Sequence, residues 1–173
     1  MQSRVFWRTV TVDRSAFLDR FLRLLRESGA RFCVIGGQAV NAYAEPVVSL
    51  DLDLVVVAPD LARLDPLLRR EFTVDEHAHS VNVSDSGSDL RIQIQRDPRY
   101  ASFVDRAVER DVLGERLPVA ALEDVLAGKV WAASDPGRRA SKRQKDLADI
   151  ARLLEVSPGL RASVPRPILE RLI

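Results

Sequence analysis

Cysteine occurs once in this chain, as Cys33 in RFCVIGG, so no intrachain disulfide framework exists and a reducing, cytoplasmic home is the expectation. A lone thiol in a strand-like run reads as a small buried hydrophobe. Lysine is nearly as scarce. Of 26 basic residues only Lys129, Lys142 and Lys145 are lysines, and they fall in one stretch, where compact point charges are poorly replaced by arginine. Long apolar runs are missing too, which argues against a membrane span. The opening MQSRVFWRTVTVDR has three arginines and no continuous apolar region, so it does not read as a signal peptide. Repeats and low-complexity tracts are absent. Net charge is small, formally +1, and argues neither for nor against nucleic acid.

What is present suits a globular domain. The chain has 173 residues, 46% hydrophobic and 29% charged, enough for one domain with a sizeable core. Residues 14–28 repeat apolar positions (Phe17, Phe21, Leu24, Leu25) at helical spacing and stop at Gly29. RFCVI predicts a buried strand, Gly36-Gly37 a turn, QAVNAYA a short helix and LDLDLVVV a second strand. A helix opens at Pro59-Asp60 and runs to about Phe72. HSVNVSDSGSDLRIQIQ alternates on both sides of Asp85-Ser86-Gly87, as a hairpin does. RYASFVDRAV reads as helical, RDVLGERLPV as partly extended. Two helices follow, split by Asp135-Pro136-Gly137. The fold class is therefore α/β or α+β with a mixed sheet. Residues 1–173 form one domain, with a sheet-containing core to about 118 and C-terminal helices from about 119.

Two charges inside LDLDL draw attention. Side chains alternate along a strand, so Asp51 and Asp53 share a face, about 7 Å apart. Like charges so placed repel unless a cation lies between them, and Mg²⁺, with its preference for carboxylate and phosphate oxygens, fits. A surface strand with two solvated aspartates is the alternative. Lys129 follows Leu122, Val125 and Leu126 by seven, four and three residues, which sets it at the edge of a buried helix face, snorkelling or pointing into a cleft. GRRASKRQK, residues 137–145, holds five cations and no acid, a candidate contact for triphosphate or an RNA backbone. On a helix its Lys142 and Lys145 also stand i, i+4 to Asp146 and Asp149, the spacing for ion pairs. His77 and His79 would share a strand face, but no third zinc ligand accompanies them.

VIGGQAVNAYAEPVVSLDLDLVV resembles the glycine-pair-then-DxD signature of the polymerase beta-like nucleotidyltransferase superfamily. RQKDLAD, Arg143 to Asp149, resembles the R-x-K-D-x-x-D pattern of its abortive-infection, toxin–antitoxin branch, and PVAALEDVLAGKVWA is similar to the lysine-bearing helix of those proteins. The resemblance covers residues from about 30 to 155. It implies a nucleotidyltransferase-like mixed sheet flanked by helices, a nucleoside triphosphate as substrate, and Mg²⁺ or Mn²⁺ as cofactor. By resemblance Asp51 and Asp53 hold metal, and Gly36, Gly37, Ser49, Lys129, Arg143, Lys145 and Asp146 line the nucleotide site. The implied acceptor is RNA, tRNA included, or a protein, with an antitoxin as partner and no membrane. The pattern breaks in two places: many relatives carry an arginine and a threonine before the DxD, where this chain has Val47 and Ser49, and the third carboxylate is missing. Where active relatives carry a third carboxylate, LRIQIQ has Gln93, which neither neutralises a metal nor serves as a general base. Asp89 and Asp97 share its face, but four residues of strand put each about 13 Å away. Two readings therefore stand: a working nucleotidyltransferase, or a weakened nucleotide-binding or regulatory protein that keeps the fold.

Overall fold

The computed structural model describes residues 16–172, so MQSRVFWRTVTVDR lies outside the described residues. Helix α1 (Phe17–Glu27) buries Phe17, Phe21, Leu24 and Leu25, the stripe its spacing predicts. It closes at Gly29, whose φ of +65° suits a residue without a Cβ. Strand β1 (Phe32–Ile35) leads directly into α2 (Gly36–Tyr43), so the glycine pair opens a helix as well as turning the chain. Then come β2 (Asp51–Val56) and α3 (Ala58–Glu71). Next come β3 (Thr73–Glu76), at one edge of the sheet, β4 (Ser80–Ser84) and β5 (Arg91–Gln95). A 3₁₀ stretch (Pro98–Arg106) precedes the hairpin of β6 (Val108–Val112) and β7 (Glu115–Val119). Helices α4 (Leu122–Ser134) and α5 (Ala140–Val156) follow, then a 3₁₀ stretch and the short α6 (Arg166–Leu169).

The strands form one seven-stranded mixed sheet in the order β3-β4-β5-β2-β1-β7-β6. β2 is central, antiparallel to β1 and parallel to β5. Its alternation separates two environments. Leu52 and Leu54, with Ile92 and Ile94 of β5 and Val81 and Val83 of β4, occupy one face in register, and all are buried. Together with Phe17, Phe21, Leu64 and Leu68 they belong to the same hydrophobic cluster. The opposite face of β2 carries Asp51 and Asp53, and α2 packs against that strand and against α4 and α5. One side of the central strands is thus wholly apolar, while on the other the aspartates share the face with buried Cys33, Ile35 and Val55.

One strand is new and two expectations change. β3 has no alternating pattern, since TVDE buries only Val74 in part, and it exists because it pairs with β4. His77 and His79 lie in the exposed β3–β4 connection, so the shared strand face does not form. Residues 98–106 are 3₁₀ and not α-helical, opened by Pro98 and capped by the Asp97 carboxylate, which accepts from the Arg99 N–H at 3.0 Å.

Candidate active site

The register of β1, β2 and β5 builds the site. Asp53 stands opposite Ile35 of β1 on one side and Gln93 of β5 on the other, while Asp51 stands opposite Arg91. Gln93 is therefore the residue beside the DxD pair, as the LRIQIQ alignment requires, and it is exposed. Among the described residues no third acid reaches this row. Asp97 is held by Arg99, at 2.8 Å, and the described residues contain no cluster of three potential metal ligands.

Asp53 fits tightly against the start of α2. Gly36 has φ +67°, and a Cβ built there would collide with Asp53 Oδ2 and stand 3.0 Å from its Cβ and Cγ. Only glycine satisfies both the backbone angle and the close approach. Gly37 is less constrained, its hypothetical Cβ lying 3.8 Å from Ser49 Oγ. The Ser49 hydroxyl accepts from the Asp51 N–H at 3.3 Å and turns the chain into β2. Gln38 donates to the Ser49 carbonyl at 3.0 Å. Asn41 clamps Val47, donating to its carbonyl at 2.7 Å and accepting from its N–H at 3.0 Å. The segment between α2 and β2 is thus stitched to the helix whose N-terminus faces the aspartates.

Electrostatics mark Asp53 out. Burial pushes its carboxyl up to about 6; the Lys129 ammonium opposes this, the neighbouring Asp51 adds to it, and Lys142 and Arg138 pull the other way. Among the described residues no hydrogen bond reaches the Asp53 carboxylate. A desolvated acid beside a second acid, with cations around it and no donor upon it, is a place for a divalent ion. The donor set is all oxygen, which suits Mg²⁺ or Mn²⁺ better than zinc.

The basic residues separate into committed and free. Lys129 pairs with Asp146 at 3.1 Å and Asp149 at 2.7 Å. Burial disfavours its charge, but Asp149 and Asp146 more than compensate and hold the ammonium above the usual lysine range. Asp146, 1% exposed, also meets Arg138 Nε at 2.8 Å, and Asp149 meets Arg152 at 2.8 Å. The expected pairs from Lys142 and Lys145 to these aspartates do not form, because cations from α4 and from the α4–α5 turn take the acids inward. Lys145 is exposed. The Arg143 guanidinium donates to the carbonyls of Asp135, Pro136 and Arg138, clamping the α4–α5 turn. Arg152 reaches on to Asn41 Oδ1 at 2.8 Å and to the Glu45 carbonyl, so the network ends on the segment beside the aspartates. Arg91, Gln38, Asn41 and Arg152 were given no role by the sequence motifs, although Gln38 and Asn41 stand within the glycine-pair stretch and Arg91 within LRIQIQ. Of these only Arg91 left a signal, since it shares the alternation of Gln93.

Tyr43 and Trp131 serve packing. The Tyr43 hydroxyl donates to the Ala120 carbonyl at 2.8 Å, and Trp131 stacks on Phe103 with centroids 5.7 Å apart.

A mixed sheet with a carboxylate pair on its central strand, beside a glycine-opened helix, is the architecture of nucleotidyltransferases. Similar solved structures share the fold. ANT(2″)-Ia in complex with adenylyl-2″-tobramycin superposes with a TM-score of 0.57 at 16% identity, over 91% of this chain and 98% of that one. The lincosamide antibiotic adenylyltransferase LnuA, lincomycin-bound, gives 0.57 at 14%, over 83% and 98%. An antigenic nucleotidyltransferase-like protein from Paracoccidioides brasiliensis gives 0.52 at 16%, over 87% and 76%. At these identities the likeness is one of fold, and no curated protein matches the sequence. The family pattern described as nucleotidyl transferase AbiEii toxin, type IV TA system, matches residues 16–172, and the chain belongs to that family. No helix among the described residues is long and apolar enough to cross a membrane.

Proposed function

We propose that this protein transfers a nucleotide from a nucleoside triphosphate to an acceptor hydroxyl on RNA, tRNA included, or on a protein, as the toxin of a toxin–antitoxin pair. The observation that carries the reading is the Asp53 carboxylate, half-buried and pressed against Gly36, free of hydrogen bonds among the described residues, and sharing its strand face with Asp51. These two carboxylates would hold Mg²⁺ or Mn²⁺. When bound, the ion supplies charge neutralisation between the carboxylates and the phosphate oxygens.

The chain's own groups do the rest. The first N–H groups of α2 have no partners within the helix and, with the helix dipole, favour phosphate oxygens. Gly36 admits the backbone close to the reacting centre. Lys129, Lys142 and Arg138 set a positive field over Asp53 and keep it ionised more easily than burial alone allows. The Gln93 amide can orient an acceptor hydroxyl by hydrogen bonding but cannot take its proton.

Gln93 also supports a second reading, a nucleotide-binding protein that has lost most of its transfer activity. Calorimetry with each triphosphate and Mg²⁺, alongside transfer of labelled nucleotide, tests both. Binding and transfer that both vanish in Asp53→Asn support the enzyme. Binding without transfer, with transfer gained in Gln93→Asp, supports the remnant. Triphosphate binding that survives the double Asp51→Asn, Asp53→Asn change would remove the site from β2.

A further inference from the structure

Most cations around the site are already spent. Lys129 and Arg138 hold Asp146, Arg143 holds three carbonyls, and Arg152 holds Asp149 and Asn41. Arg91 differs. Its register on β5 sets it directly beside Asp51, and its backbone N–H donates to the Leu50 carbonyl at 2.8 Å, fixing the strand there. The guanidinium uses Nε on Asp51 Oδ1, at 2.8 Å, while Nη1 and Nη2 bond nothing among the described residues. The side chain remains 70% exposed. A planar fork, anchored by one edge to a DxD carboxylate and open along the other, matches the bidentate geometry of a phosphate. Charge points the same way. Gln93, one row along the same face, is neutral, so these rows of β2 and β5 carry two carboxylates, and the Arg91 guanidinium cancels one of those charges and lowers the repulsion that an incoming phosphate meets.

We propose that Arg91 is a phosphate-binding residue of this site, held in place by Asp51 and presenting its free edge to the triphosphate; this rests on the nucleotidyltransferase reading above. Asp51 then has two tasks, as metal ligand and as the anchor that orients Arg91.

The test compares wild type, Arg91→Gln and Arg91→Lys by calorimetry, with ATP, GTP, CTP and UTP, with the matching nucleosides, and with Mn²⁺ alone. Arg91→Gln should weaken triphosphate binding by about 10- to 100-fold, the value of a charge-assisted contact. Arg91→Lys should recover part of the loss by keeping charge without the fork. Nucleoside binding and the melting temperature should stay unchanged, and Mn²⁺ should bind at least as well once Asp51 is unpaired. Triphosphate binding equal to or tighter than wild type in Arg91→Gln would mean that Arg91 only stands in for the metal, and would overturn the proposal. An equal loss for nucleoside and triphosphate would overturn it as well, by showing a general distortion. Binding that depends on Asp53 but not on Arg91 sinks this inference alone, whereas a wild type that binds no triphosphate sinks the functional reading with it.

Discussion

At the scale of single residues, Asp53 and Gly36 act as one unit whose stability works against its chemistry. Folding raises the Asp53 carboxyl to about 6, above its unfolded range near 4, so the folded state holds the proton more tightly between those values. Stability therefore falls as pH rises from about 4 to 6, and the penalty persists above that. Asp53→Asn should stabilise the metal-free protein by on the order of 2–3 kcal/mol at pH 8, with the gain vanishing below about pH 4. Chemical denaturation across pH 4–8 in chelator measures it, and a variant less stable than wild type at pH 8 would contradict the desolvated acid. Gly36→Ala should cost about 1–2 kcal/mol from the backbone angle alone, and more from the clash with Asp53, while Gly37→Ala should cost at most about 1 kcal/mol. Urea unfolding of the pair separates them; equal losses would mean that Gly36 is not pressed against the aspartate. The DxD and the glycine pair were legible because their meaning is local, a matter of alternation and turn chemistry. Which glycine is obligatory, and what Arg91 touches, were not, because both depend on the register of strands distant in sequence.

At the scale of elements, α4 and α5 are joined by buried charge. Lys129 bridges two aspartates, and its side chain is 12% exposed. Removing Lys129 takes one of two cations from each carboxylate and leaves Arg138 and Arg152 in place, so Lys129→Ala should destabilise by about 1–3 kcal/mol, whereas exposed Lys145→Ala should stay within about 0.5 kcal/mol. Matched melting curves decide; a Lys129→Ala protein as stable as wild type would mean that Asp146 and Asp149 are satisfied without it. The same network reaches the segment before β2 through Arg152. In Arg152→Ala the Val47 N–H, bonded to Asn41, should exchange with solvent faster, and unchanged protection would show that Asn41 holds the segment unaided. The five-cation stretch was visible in the sequence as a basic patch, but its i, i+4 pairs were not the ones that form. Local spacing cannot see that a lysine on a neighbouring helix lies closer to the acids than the lysines on their own.

At the scale of the whole molecule, the α/β character followed from periodicity and breakers. The seven-strand order did not, since β3 carries no alternation and the parallel β2–β5 pairing joins strands forty residues apart in register, Asp51 to Arg91. That pairing makes Gln93 the neighbour of Asp53 and leaves the polar face of β5 and β4 continuous with the aspartates, with Asn82 opposite Gln93. The family match over residues 16–172 supports nucleotidyl transfer in general, and the solved structures share the fold. The most direct test of the central claim is incorporation of label from α-³²P nucleoside triphosphates into total RNA and into protein, with Mg²⁺ or Mn²⁺, by wild type and by Asp53→Asn. The account predicts metal-dependent label in one acceptor class with wild type and none with Asp53→Asn. Label that appears equally with both proteins, or no label from any triphosphate in either class, would contradict it.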